Sequence, residues 1–235
     1  MLTIGLGPAF AGGGSGGGGA TEEKPTLFNQ SFIEATATAK IVDNSITEFP
    51  LVDTSMLTTM YNFFDGCLYL KSVPLLNTSN VTKMGYMFRW CESLKTIPPL
   101  DTTKVTSMTE MFKNCSSLVS VPALNTSLVT SMPNMFEACG KLEIVTLLDM
   151  VKVTDALYMF FGCSSLKYCH LTNLKTKIEF DNSPLLEKSS VLFIFANAQK
   201  ISSSKTIKLH ADTFNQLTAD EIAIATQKGF SVVSA

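Results

Sequence analysis

The sequence predicts an α/β solenoid, a stack of short repeats that each contain one helical and one strand-like segment. Three columns of residues carry that reading. Cys67, Cys91, Cys115, Cys139 and Cys163 follow one another at intervals of 24 residues. A Met-Phe pair precedes them at Met87-Phe88, Met111-Phe112, Met135-Phe136 and Met159-Phe160, with Phe63-Phe64 in the first unit. Three residues past each cysteine stands Leu70, Leu94, Leu118, Leu142 or Leu166. A fixed period of this length marks units that cannot bury their own apolar face and stack on their neighbours instead.

Within one unit, Thr58, Thr82, Thr106, Thr130 and Thr154 stand where helix N-caps would. Met84, Met87, Phe88 and Cys91 then fall at i, i+3, i+4 and i+7, one face of a short helix pointing inward. Leu94, Ile97 and Leu100 follow, with Val73, Val121 and Val145 as equivalents of Ile97. That stretch is short and rich in β-branched residues, as one rung of a parallel sheet would be. Pro50, Pro74, Pro98 and Pro122 cannot donate to a ladder and should end each rung. An Asp or Asn comes next (Asp53, Asn77, Asp101, Asn125, Asp149, Asn173), then mostly Ser and Thr, which close turns by bonding nearby backbone.

The unit resembles the BspA-like leucine-rich repeat of bacterial surface and adhesion proteins, whose pattern runs Met-x-x-Met-Phe-x-x-Cys-x-Ser-Leu-x-x-Ile-Pro-x-Leu-Asp-Thr-Ser-x-Val-Thr. The match spans residues 46–177 and holds register over five units. The resemblance implies a right-handed β/α solenoid of leucine-rich-repeat type, a role in attachment or recognition, and no catalytic residues or cofactor. His170 replaces proline in the fifth unit, and a sixth unit fades after Asn173.

The repeats sit between unlike ends, giving a Gly-rich arm at 1–24, an N-terminal cap at 25–45, repeats at 46–177 and a C-terminal α/β cap at 178–235. In the last segment, Lys205 to His210 alternates as a strand does, and Thr218-Ala219-Asp220-Glu221 reads as a capping box. Gly229 should end that helix before a last strand at Phe230. In the arm, Leu2, Ile4, Leu6 and Phe10 precede polyglycine, so an apolar plug on a tether is expected to anchor the chain to protein partners in a larger assembly.

Composition narrows the partners. A formal charge of −2 with scattered Lys and Arg gives no basic stripe for nucleic acid. No apolar run is long enough to span a bilayer, and residues 1–20 lack the basic start of a secretory signal. The thiols are expected to be reduced, on the argument that helix spacing of roughly 8 to 10 Å holds neighbours too far apart for a disulfide. Neither His170 nor His210 sits in a nucleophile motif, and no ligand cluster for a metal is evident.

Candidate contacts lie off the apolar face. Tyr86, Arg89 and Trp90 form one group, and Tyr158 and Phe161 occupy the columns of Tyr86 and Arg89 in the fifth unit. The expectation is a non-enzymatic structural or recognition module: a phage virion surface protein assembled in the host cytoplasm, or alternatively a bacterial cell-surface adhesin. A host surface protein or glycan is the expected ligand class.

Overall fold

The computed structural model of the chain describes residues 3–4, 40–41 and 45–235. Its elements are β1 (Thr3–Ile4), β2 (Lys40–Ile41), β3 (Ile144–Asp149), β4 (Tyr168–Thr172), β5 (Ile178–Phe180), α1 (Lys188–Asn197), β6 (Lys205–Leu209), α2 (Ala211–Phe214), α3 (Ala219–Thr226) and β7 (Phe230–Ser234). Strands pair in parallel, β1 with β2, β3 with β4, and β5, β6 and β7 in that order. Between residues 46 and 177 the chain winds in coils with two long sides. One side, here called the ribbon, buries Met84, Met87, Phe88 and Cys91 and their equivalents, and the other, the rung, buries Leu94, Ile97 and Leu100.

The ribbon is not the helix that its spacing predicts. The amides of Tyr86, Phe88 and Trp90 donate across to Thr109, Met111 and Lys113 of the next coil, at 2.8, 2.9 and 2.8 Å. Those of Met87, Arg89 and Cys91 close turns on Met84, Tyr86 and Phe88. Tyr86 and Trp90 take φ of 60° and 62°, and Glu110, Asn114, Asn134, Ala138 and Tyr158 repeat that left-handed geometry. Overlapping turns that advance four residues per cycle also bring i, i+3, i+4 and i+7 to one side. An isolated eight-residue helix is unstable, whereas here alternate ribbon amides gain a partner in the neighbouring coil and those between them close turns within their own.

Both sides of the coil therefore stack at strand spacing, about 4.8 Å. Phe64, Phe88, Phe112, Phe136 and Phe160 lie face to face, with centroids 5.3 to 5.7 Å apart and planes within 9°. Phe49 closes the first coil edge-on to Phe64 at 4.9 Å, and Phe180 continues the stack beyond Phe160 at 5.0 Å. Each ring excludes water for its neighbour.

Thr58, Thr82, Thr106, Thr130 and Thr154 are not helix caps, because no helix follows them. Their amides and hydroxyls from Thr82 onward donate to the carbonyl of the preceding member, forming a surface ladder. A second ladder is buried: Thr54, Thr78, Thr102 and Thr126 are at most 2% exposed. Thr54, Thr78 and Thr126 donate to the carbonyls of Asn77, Asp101 and Asp149.

Proline acts on the rungs as expected. Where Pro74 and Pro122 stand, coils meet through single bridges, Glu48 with Ser72 and Ser120 with Ile144. Where Thr146 and His170 replace proline, β3 and β4 pair from Ile144 to Asp149, with a bulge between Val145 and Leu147.

Beyond residue 177 the two sides exchange character. The ribbon side becomes the β5-β6-β7 sheet, and the rung side becomes α1, whose Phe193 lies 4.4 Å from the His170 ring of β4. Thr218 and Glu221 form both bonds of the capping box at the start of α3. Gly229 ends the turn at φ 94°, where a Cβ would fall 2.6 Å from the Ile201 carbonyl.

Candidate functional site

The outer surface of the rung side carries a feature that the sequence reading missed. Between inward Ile97 and Leu100 the chain must turn a side chain outward, and Pro99 is exposed there. Its equivalents are Leu51, Leu75, Ala123 and Leu147, all exposed, with the three leucines at 74, 66 and 51%. Stacked coils join them into an apolar ledge. Opposite stands the column of Asp53, Asn77, Asp101, Asn125 and Asp149. Between the two runs a groove of two adjoining cavities, about 440 and 550 Å³, which share Asp101.

The polar wall is held by its own turns. The Oδ1 atoms of Asp53, Asn77, Asp101, Asn125 and Asp149 accept from the amides of Ser55, Ser79, Thr103, Ser127 and Val151 at 2.8 to 3.2 Å. The Ser55 amide draws the Asp53 carboxyl below its usual range, and the Thr103 hydroxyl followed by the Thr103 amide does so for Asp101. No lysine or arginine lines the groove.

The ribbon's outer face holds the predicted contacts. Arg89 grips Asp65 with two bonds of 2.8 and 2.9 Å and reaches Glu110 at 3.5 Å. Its guanidinium lies 4.6 Å over the Tyr86 ring, which meets Tyr61 edge-on at 5.1 Å. Asp65 raises the Arg89 pKa, and burial followed by the nearby Glu110 charge raises that of Tyr86. Lys113 extends the charge ladder to Glu137 at 2.9 Å. Trp90 stands half-exposed in the same coil. Tyr158 and Phe161 form a separate edge-to-face pair at 6.1 Å. The structure thus joins Tyr86 to Arg89 and Tyr158 to Phe161, while the ion pairs around Glu110 and Lys113 lie between the two groups.

Ile4 lies in β1, opposite Ile41. The other expected anchor residues, Leu2, Leu6 and Phe10, fall outside the described residues. His170 packs on Phe193, and His210 accepts the Asp212 amide at the start of α2. Among the described residues no three His, Cys, Asp or Glu side chains converge on a metal position, and no helix is long and apolar enough to cross a membrane.

All six cysteines are buried, but distance is not what keeps neighbouring thiols from joining. Coils at strand spacing bring neighbouring Cα atoms within reach of a disulfide. Instead Cys91, Cys115, Cys139 and Cys163 donate to the carbonyls of Phe64, Phe88, Phe112 and Phe136 at 3.0 to 3.2 Å. Burial pushes the Cys163 thiol up to about 12 and also raises those of Cys91, Cys115, Cys139 and Cys169. The four thiols that donate to carbonyls are protonated donors in the core, with little nucleophilic character.

Comparison with known proteins gives no curated match. Among solved structures, the crystal structure of the T. pallidum leucine rich repeat protein (TpLRR) superposes with a TM-score of 0.51 at 16% identity, over 84% of this chain and 85% of that one. At that identity the likeness establishes a leucine-rich-repeat fold. The family described as "Mycoplasma protein of unknown function, DUF285" matches residues 28–144 and again 90–216. With its 24-residue units, its leucine-rich-repeat fold and a family match across most of its length, the chain belongs to DUF285, a family of BspA-like repeats.

Proposed function

We propose that the protein is a non-enzymatic recognition module displayed at a surface, in the manner of a bacterial adhesin, and that it binds a macromolecular ligand along the groove of the rung side. The observation that carries this reading is the apolar ledge. Three leucines stand more than half exposed in one line beside a polar wall, at positions that the core does not use. A contiguous exposed apolar strip marks an interaction surface more often than scattered apolar residues do. A repeat scaffold supplies rigidity and a long face, and the outward positions are free to vary while the inward ones stay fixed. The narrower reading, a virion protein anchored by Leu2, Ile4, Leu6 and Phe10, draws support from the apolar sequence of the arm before its polyglycine.

Adherence of the purified chain to intact animal cells, measured by flow cytometry, tests the adhesin reading. Leu75→Ser combined with Leu147→Ser should remove most adherence with an unchanged Tm. Equal adherence of that variant would contradict the groove as the binding surface.

A further inference from the structure

We propose that two copies of the chain pair through β7, the last strand of the C-terminal cap, running antiparallel so that Val232 of one copy meets Val232 of the other. This contact lies at the end of the stack and does not depend on the groove being a recognition surface. It rests on an open strand edge, on the lack of any guard along that edge, and on a core column left unfinished there.

Among the described residues β7 pairs with β6 alone, so one side of it has no neighbouring strand. The Ala235 amide donates to the Leu209 carbonyl of β6 at 2.8 Å. Amides alternate sides along a strand, so those of Ser231 and Val233 also face β6, and those of Phe230, Val232 and Ser234 face away from it. Ser231, Val233 and Ser234 are exposed, which leaves the outer row within reach of another chain. Strand edges are usually blunted by lysine, proline or a bulge. Here Lys205 and Lys208 sit in the interior strand β6, while residues 230–234 hold only Phe, Ser and Val. The β6–β7 register also runs without a bulge from Phe230 to Ser234.

Ile178, Ile207 and Val232 stack in register through the sheet. The first two are 1% exposed, whereas Val232, at the open edge, is only partly buried. A second Val232 across the edge covers it, and a β-branched cross-strand pair of this kind is favourable. The strand also suits its own copy. Antiparallel pairing centred on Val232 sets Phe230 opposite Ser234 and Ser231 opposite Val233, so no like charges meet and the outward amides find carbonyls. Lys205 and Lys208 of the two copies stand at least three strand spacings apart, about 14 Å, which is beyond the screening length of about 10 Å. Such a contact uses the same patch on both copies and closes at two.

Sedimentation velocity of the full chain over a range of concentrations tests this. The mass should rise from that of one chain to that of two and no further. Ser234→Pro removes an edge amide that β6 does not use, and Val233→Lys adds a guarding charge. Each should weaken the dimer about tenfold, the scale of one or two lost edge bonds. Thermal unfolding at low concentration should stay unchanged, because strand edges accept both residues. Leu75→Ser with Leu147→Ser should leave the dimer intact. The register is read with Ser231→Cys and Val233→Cys, made in separate chains. Those positions face each other across the pair at about 4.5 Å between Cα atoms, within disulfide reach, whereas each lies on a diagonal of about 7 to 8 Å from its own copy. The native thiols are buried and add no background. Under a mild oxidant the mixed chains should give a covalent dimer, and neither variant alone should.

A mass of one chain at every concentration would overturn the proposal, and so would a mass that grows past two. A dimer untouched by both edge variants, or lost with the leucine pair, would place the contact elsewhere. Cross-linking of either cysteine variant alone, with none between the two, would contradict the antiparallel register.

Discussion

Thr126 shows how one side chain ties two coils together. Its hydroxyl donates to the carbonyl of Asp149 at 3.0 Å and accepts from the amide of the same residue at 2.7 Å. The residue is 1% exposed, so water cannot replace either bond. Thr126→Val keeps the shape and strands both backbone groups, which should cost about 1 to 3 kcal/mol. Chemical denaturation measures it, and a loss below experimental error would mean that the corner is open to water. Inward residues such as Phe112, Met135 and Leu142 were legible, because an invariantly apolar column at a fixed period can point only to the core. The buried threonines were not, since Thr and Ser fill both the buried and the exposed corners of this repeat. The ledge was hidden for a related reason. Leu75 and Leu147 sit beside the inward Leu76 and Leu148, and apolar neighbours read as core unless alternation is traced through each rung.

At the scale of the element, the ribbon shows the limit of a periodicity argument. The spacing of Met84, Met87, Phe88 and Cys91 identifies the inward face and says nothing about which amides bond to which carbonyls. A different signal was present in the column of Gly66, Trp90, Asn114, Ala138 and Gly162. Gly and Asn gather where φ is positive, and three of five members are Gly or Asn. Ala138 at φ 59° lacks that freedom. Ala138→Gly should therefore stabilise the protein by about 1 kcal/mol, whereas the same change inside a helix would cost about that much. The sign of the change in thermal unfolding separates the two structures. The C-terminal elements were legible in more detail. The capping box at Thr218, the stop at Gly229 and the strand at Phe230 are local signals, each satisfied within a few residues.

Across the whole molecule, the stacked thiols link stability to pH. The folded pKa values of Cys91, Cys115, Cys139, Cys163 and Cys169 are raised. Above about pH 9 the unfolded chain loses thiol protons that the folded chain keeps, so the stabilising contribution is complete below that pH and declines above it. Each such thiol removes about 1.4 kcal/mol per pH unit in the window between its unfolded and folded pKa. Tm should fall steeply from pH 9 upward, and a Tm that stayed level to pH 10.5 would contradict thiol burial. The same stacking sets the step of the groove, so the direct bonding of coil to coil is the claim on which fold and function both depend. It can be observed across a single hydrogen bond in isotope-labelled protein, as the scalar coupling between the Phe88 amide nitrogen and the carbonyl carbon that accepts from it. Coupling to Met111 of the next coil is the expected result. Coupling to Met84, the acceptor in an α-helix, would contradict the ribbon, the strand spacing and the groove together.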